Sequence, residues 1–354
     1  MRKNYIDNLR IICILILFPY HTCMMYNDWG ESFYVYSKPV ALFSYFVSIN
    51  WTWFMPLMFV LSGISASFAL RKRSAKEYIK ERVSKLFIPL VFGIILLIPI
   101  QTFFAEKHHN NYNGGYFKQY ILFFTKKTDL TGYFGGFTPG QLWFIMYLLV
   151  ISLLALPIML KYNKSNRKID GRKLSLPLVI AMFIIPALST LILDIGGKSL
   201  GQYFALFLFG FFVFSNDDFI DKLEKYRWQL FVSAITLVVI KTILYKIVDT
   251  SFYTLVNILH CFAMWICILA LLVIGKRYLN KRTRFTDYFN KASFPIYIFH
   301  QSWLVAVGYY VLKITSNVAI QFISIMIVSF ILTVITYEIA RRIPLTRFMF
   351  GIKK

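Results

Sequence analysis

Apolar residues run along this chain in long windows separated by short, mostly basic connections. A window of about 20 such residues is long enough to cross ~30 Å of hydrocarbon as a helix. Ten can be placed, with cores at 10–27, 44–70, 86–105, 141–160, 174–193, 199–215, 228–248, 254–275, 292–312 and 318–340. Only the short turn Asp194–Ser199 parts 174–193 from 199–215. The pattern predicts an all-α, polytopic integral membrane protein with about ten transmembrane helices, forming a single domain over 1–354.

One segment breaks the rhythm. Residues 106–140, rich in Gly, Asn and aromatic side chains, read as a long loop with a short apolar run at Tyr120–Phe124. Loops of that length serve as binding loops or lids, or run as partly ordered surface loops. His108 and His109 lie there with no acidic or cysteine partner at ligand spacing, so no metal site is expected. The four cysteines all fall within predicted spans and form no Cys-x-x-Cys pair, which supports neither a disulfide framework nor zinc.

Composition agrees with a bilayer as the solvent. With 58% hydrophobic and 16% charged residues in 354, there is too little polar surface to cover a soluble globule. The net charge of +23 suggests nucleic acid at first sight. The charge is not gathered into a patch, however: thirty of the 39 Lys and Arg lie in connections on the side of the N-terminus. Basic loops resist translocation, so both termini are expected in the cytoplasm, and anionic lipid rather than nucleic acid accounts for the charge. The first apolar run, flanked by Asp7 and Arg10 and followed by no small-residue cleavage site, reads as a retained helix.

Ionisable side chains inside spans are the candidates for chemistry. His21 follows Arg10 by eleven residues. That is ~16 Å of helix and a return to within about 20° of the same face. Asp7, three residues before Arg10, can pair with it on one turn. Pro19 removes a backbone hydrogen bond just before His21 and predicts a kink. His260, on a stripe with Asn257, and His300, on a stripe with Tyr297, come from two further helices at similar depth. Such rings serve either as polar contacts between helices or as functional groups. No Asp or Glu lies deep in a span, which weighs against an ion-coupled transporter. A neutral imidazole is suited to taking a proton from a hydroxyl nucleophile, as acyl transfer to an alcohol requires.

The segments "YIDNLRIICILILFPYHT", "WFMPLMFVLSGISASF", "RVSKLFIPLVFG", "QLWFIMYLL" and "SFPIYIFHQ", in that order, resemble the acyltransferase family 3 proteins. These are membrane O-acyltransferases that modify bacterial surface polysaccharides, and the likeness is to the branch concerned with glucan succinylation. The resemblance implies Arg10 and His21 as the catalytic pair. It also implies that Arg82-Val-Ser-Lys85, where the family has Arg at both ends, meets the acyl donor. Lys in the last place keeps the charge but loses the planar fork for phosphate. The donor implied is an acyl-CoA, acetyl-CoA or succinyl-CoA, with no permanently bound cofactor. The acceptor implied is a glycan hydroxyl outside the cytoplasmic membrane of a bacterium.

His21 would then act as general base or as a transient acyl carrier, with Asp7, Asn257, His260, Tyr297 and His300 in support. The alternative is a polytopic transporter or flippase that moves a glycan precursor or small solute without forming an ester.

Overall fold

The computed structural model describes residues 3–30, 33–165, 169–248 and 252–353. Among them all regular structure is helical, apart from a lone bridge between Asp194 and Ser199 that closes the expected turn.

The chain begins with α1 (Asn4–Leu15) and α2 (Leu17–Met24), continues through α3 (Ala41–Trp51) and α4 (Phe54–Leu70), and then α5 (Ala75–Arg82). A π-helical turn at Val83–Phe87 leads into α6 (Ile88–Leu96) and α7 (Ile98–His109). Next come α8 (Tyr116–Thr125), α9 (Trp143–Leu154), α10 (Leu156–Lys164), α11 (Leu176–Ala181), α12 (Ile184–Leu188) and α13 (Leu200–Phe209). The remainder is α14 (Asp217–Glu224), α15 (Arg227–Ile247), α16 (Tyr253–Tyr278), α17 (Arg284–Ile314), α18 (Val318–Ala340) and α19 (Pro344–Met349).

Prolines set several of the breaks. Proline has no N–H to offer the carbonyl four residues back and its ring crowds that carbonyl. The helix accordingly interrupts at Ile16 ahead of Pro19, at Leu97 ahead of Pro99 and at Ala155 ahead of Pro157. The break at Ile16 is the local distortion expected before His21.

Among the described residues, six helical stretches are long and apolar enough to cross a membrane: Asn4–Met24, Ala41–Leu70, Ala75–His109, Arg227–Ile247, Tyr253–Tyr278 and Val318–Ala340. Two bent pairs, Gly140–Leu154 with Leu156–Lys164 and Leu200–Phe214 with Asp217–Glu224, raise the number to eight. Two of the ten expected spans fall short of this standard. The stretch at 174–193 is a short, interrupted helix over Leu176–Leu191. The window at 292–312 lies within α17, where His300, Gln301 and several ring hydroxyls dilute the apolar character.

By contacts the chain divides into two compact units. The first comprises 1–13, 48–81 and 147–287. In it α4 crosses α13 and the π-helical turn Gly210–Phe214 at backbone contact: a methyl group at Gly63 would sit 2.0 Å from the Phe207 carbonyl oxygen, and one at Gly210 would sit 2.2 Å from that of Val60. Small residues permit such close approach, and with it the dispersion contacts that hold helices together in lipid. Trp265, fully buried on α16, donates its indole N–H to the Val179 carbonyl at 2.8 Å. The Asn8 amide caps the end of the same helix through the carbonyls of Leu279 and Lys281.

The second unit comprises 14–47, 82–146 and 288–354. Here α2 packs on α18, and α19 on α6. The segment 106–140 is more ordered than a loop. It contains the end of α7 and all of α8, whose Gln119 and Phe123 turn inward while Phe117, Ile121 and Phe124 stay exposed. Gln119 fixes it by donating to Thr102 and to the Gly135 carbonyl, both at 3.1 Å. The outward face suits the apolar edge of a bilayer interface.

Candidate functional site

His21 and His300, 279 residues apart, meet in the second unit, their ring centroids 5.3 Å apart and their planes tilted by 34°. His21, partly accessible, stacks on Phe33 at 6.0 Å and meets Tyr20 edge-on. His300 is fully buried, with Phe18 against its edge. Its Nδ1 lies 2.6 Å from the Tyr297 carbonyl oxygen. A carbonyl only accepts, so Nδ1 carries a proton and, in the neutral ring, Nε2 holds the lone pair. That Nε2 and the Nδ1 of His21 are both buried and have no hydrogen-bond partner among the described residues. Buried polar atoms normally have one, which makes these two nitrogens on adjacent rings the candidate site of this unit.

Around His300 the unit is wired by glutamines. Gln101 donates to the Gln141 side-chain oxygen at 2.9 Å and to Ser302 at 3.0 Å, and accepts from Gln301 at 3.2 Å. Gln141 donates to the Ile298 carbonyl at 3.0 Å, and its own carbonyl accepts the hydroxyl of Tyr297. Gln101, Gln141, Gln301 and Ser302 are all buried. Sequence reasoning passed over these four because neutral amides in apolar windows look like minor dips in hydropathy. The detectable signal was slight: six glutamines fall inside the expected spans, at 101, 141, 202, 229, 301 and 321, and one of them is adjacent to His300.

A second tier holds Phe33 against His21. The Phe33 carbonyl accepts a hydrogen bond from His109 Nε2 at 2.6 Å, while Tyr133 packs against both Phe33 and Tyr34. His108 Nε2 accepts the Tyr36 N–H at 3.2 Å. Both histidines of the 106–140 segment thus tie it to the stretch that carries Phe33.

The other sequence candidates divide between the units. Arg10 belongs to the first, where its guanidinium donates to Asp7 and to Ser65, each at 3.0 Å. The Asp7 pairing is the one expected from the spacing, whereas Ser65 of α4 was not foreseen. His260, half-buried, and Asn257, exposed, also lie in the first unit, on α16. Tyr297 and His300 lie in the second unit with His21. Arg82 and Lys85 lie in the second unit, at the end of α5 and within the π-helical turn, both partly exposed. Single π-helical turns often accompany functional positions.

Comparison with known proteins adds an independent line. A family model described as an acyltransferase domain matches residues 3–338. The chain is 23% identical to glucans biosynthesis protein C of Salmonella paratyphi B over 379 residues, covering 99% of this chain and 94% of that protein. It is 24% identical, with the same coverage of both chains, to the protein of that name from Salmonella schwarzengrund. No solved structure matches.

Proposed function

The chain belongs to the acyltransferase family 3, and from that premise we propose that it moves an acyl group, acetyl or succinyl, from an acyl-CoA to a hydroxyl of an envelope glycan. Its place is the cytoplasmic membrane of a bacterium, with both termini on the cytoplasmic side. The adjacent His21 and His300, each with an unpartnered buried ring nitrogen, carry the reading. The glycan acceptor is supported by the relatives, whose name places them in glucan biosynthesis.

In the reaction, His21 takes the proton of the acceptor hydroxyl as its oxygen bonds to the thioester carbonyl carbon. The tetrahedral intermediate collapses by breaking the carbon–sulfur bond, and His21 returns the proton to the departing thiolate. An ester and free coenzyme A result, with no net change in the imidazole. His300, its Nδ1 committed to the Tyr297 carbonyl, offers Nε2 beside His21 to steady the transient imidazolium.

Arg10 uses two of its donors on Asp7 and Ser65; a guanidinium has five, so others are left for an anionic part of the donor. Arg82 and Lys85 are assigned to the coenzyme's phosphates. Tyr297, with its hydroxyl engaged by a backbone carbonyl, positions His300 and does not act on substrate.

The test is the base-labile acyl content of envelope glycans, by NMR and mass, in cells lacking the gene and complemented with wild type or His21→Ala at matched membrane abundance. The wild type restores an ester whose mass names the donor, and the variant does not. Equal restoration by both would reduce His21 to packing. A covalent acyl carrier would instead show the acyl mass on the His21 peptide after quenching.

A further inference from the structure

Four rings of the second unit meet where α7 ends, and the mechanism above uses none of them. His108 and His109 lie edge-on to each other with their centroids 5.1 Å apart. Tyr36 packs on both, edge-on to His108 at 5.1 Å and stacked on His109 at 5.4 Å, and Phe134 meets His109 at 5.6 Å. Tyr36 is 50% exposed and Phe134 47%, so each leaves about half of its surface uncovered.

Hydrogen bonding fixes what the two imidazoles offer. His109 Nε2 donates to the Phe33 carbonyl at 2.6 Å, so in the neutral ring Nδ1 keeps a lone pair. His108 Nε2 accepts the Tyr36 N–H at 3.2 Å, so in its neutral ring Nδ1 carries the proton. An acceptor and a donor thus stand on neighbouring rings, and neither Nδ1 has a hydrogen-bond partner among the described residues. Adjacent hydroxyls of a sugar, each able to donate and to accept, match that pair, and the C–H face of a sugar suits an exposed aromatic ring. An aromatic belt at the membrane surface would account for the rings alone and not for the paired nitrogens.

The surface is held in advance and adjoins the candidate site. Phe134 precedes Gly135, whose carbonyl accepts from Gln119 at 3.1 Å and whose φ of +81° is one that only glycine adopts freely; a methyl there would sit 2.2 Å from Glu106. A surface so fixed loses little freedom on binding. The Phe33 whose carbonyl holds His109 stacks its ring on His21 at 6.0 Å. We infer that Tyr36, His108, His109 and Phe134 form a sugar-binding subsite, which holds one unit of the acceptor glycan while a neighbouring unit presents its hydroxyl to His21. The second half of this inference rests on the acyl-transfer reading.

The full chain in nanodiscs is titrated, with no acyl donor present, with β-linked glucotetraose, α-linked glucotetraose and a tetramer of N-acetylglucosamine, and binding is read by saturation-transfer difference NMR. Wild type binds at least one of them saturably, with the transfer reaching the sugar C–H protons. Tyr36→Ala and Phe134→Ala each weaken that binding by about tenfold, while Tyr36→Phe and Phe134→Trp, which keep a ring, hold it within about threefold. Phe134→Ala decides the matter if Tyr36→Ala does not fold, because the Phe134 side chain has no hydrogen bond to lose. No saturable binding of any tetramer by wild type, or equal binding by wild type and the alanine variants, overturns the proposal. The two readings fail separately: wild type that forms an ester from acetyl-CoA or succinyl-CoA while the alanine variants bind unchanged loses the subsite alone, and wild type that binds a tetramer through these rings but forms no ester loses the acyl transfer alone.

Discussion

His300 illustrates how a backbone contact fixes the chemistry of a side chain. Because its Nδ1 is spent on the Tyr297 carbonyl, only Nε2 is available, and an amide can imitate one of these two nitrogens but not both. His300→Asn is therefore expected to keep the protein folded and lower turnover by roughly 10²-fold, measured as coenzyme A release in membranes, with His21→Ala falling further, by about 10²–10⁴-fold. Asp7→Asn should act differently. It loosens Arg10, which keeps its bond to Ser65, so the expected effect is a raised KM for the donor with kcat nearly preserved. The Asp7–Arg10 pair was legible in the sequence because three residues in a helix make neighbours whatever else the fold does. The pairing of His21 with His300 was not, because no local rule brings α2 and α17 together. Their similar expected depth was the nearest hint, and the same hint singled out His260, which lies in the first unit.

At the level of elements, the position of each break follows from residue identity. Pro19 accounts for the interruption at Ile16, just before His21. Pro19→Ala restores the missing N–H, and the helix 4–24 is expected to run unbroken. Activity should then fall severalfold while thermal stability holds or rises, a combination visible by comparing turnover and melting of the purified protein. The segment 106–140 was underestimated for a different reason. Its helix α8 exposes Phe117, Ile121 and Phe124 at spacings of four and three, a genuine amphipathic signal. Flanking Gly and Asn residues masked it, and its inward polar residue, Gln119, finds its partners only in tertiary structure.

For the whole molecule, apolar periodicity was informative about class and most spans, and less so about their number. Two windows, one interrupted and one diluted by buried polar groups, show why: a helix sheltered by protein need not be as apolar as one facing lipid. The distribution of Lys and Arg gives the orientation a direct test. With the four buried native cysteines as silent background, a cysteine introduced at the exposed Lys173 should react with a membrane-impermeant maleimide only in inside-out vesicles, and one at the exposed Gly115 only in intact spheroplasts. The reverse pattern would invert the proposed path of the acyl group.

The mutual fit of Gly63 and Gly210 has a mechanical consequence. With each glycine pressed against the other helix's backbone, a slide of one helix by a single residue, ~1.5 Å, would drive a side chain into a gap that has room only for hydrogen. Shear between α4 and α13 is thereby closed. A methyl at Gly63 is therefore expected to lower the melting temperature of the purified protein sharply by forcing the two backbones apart.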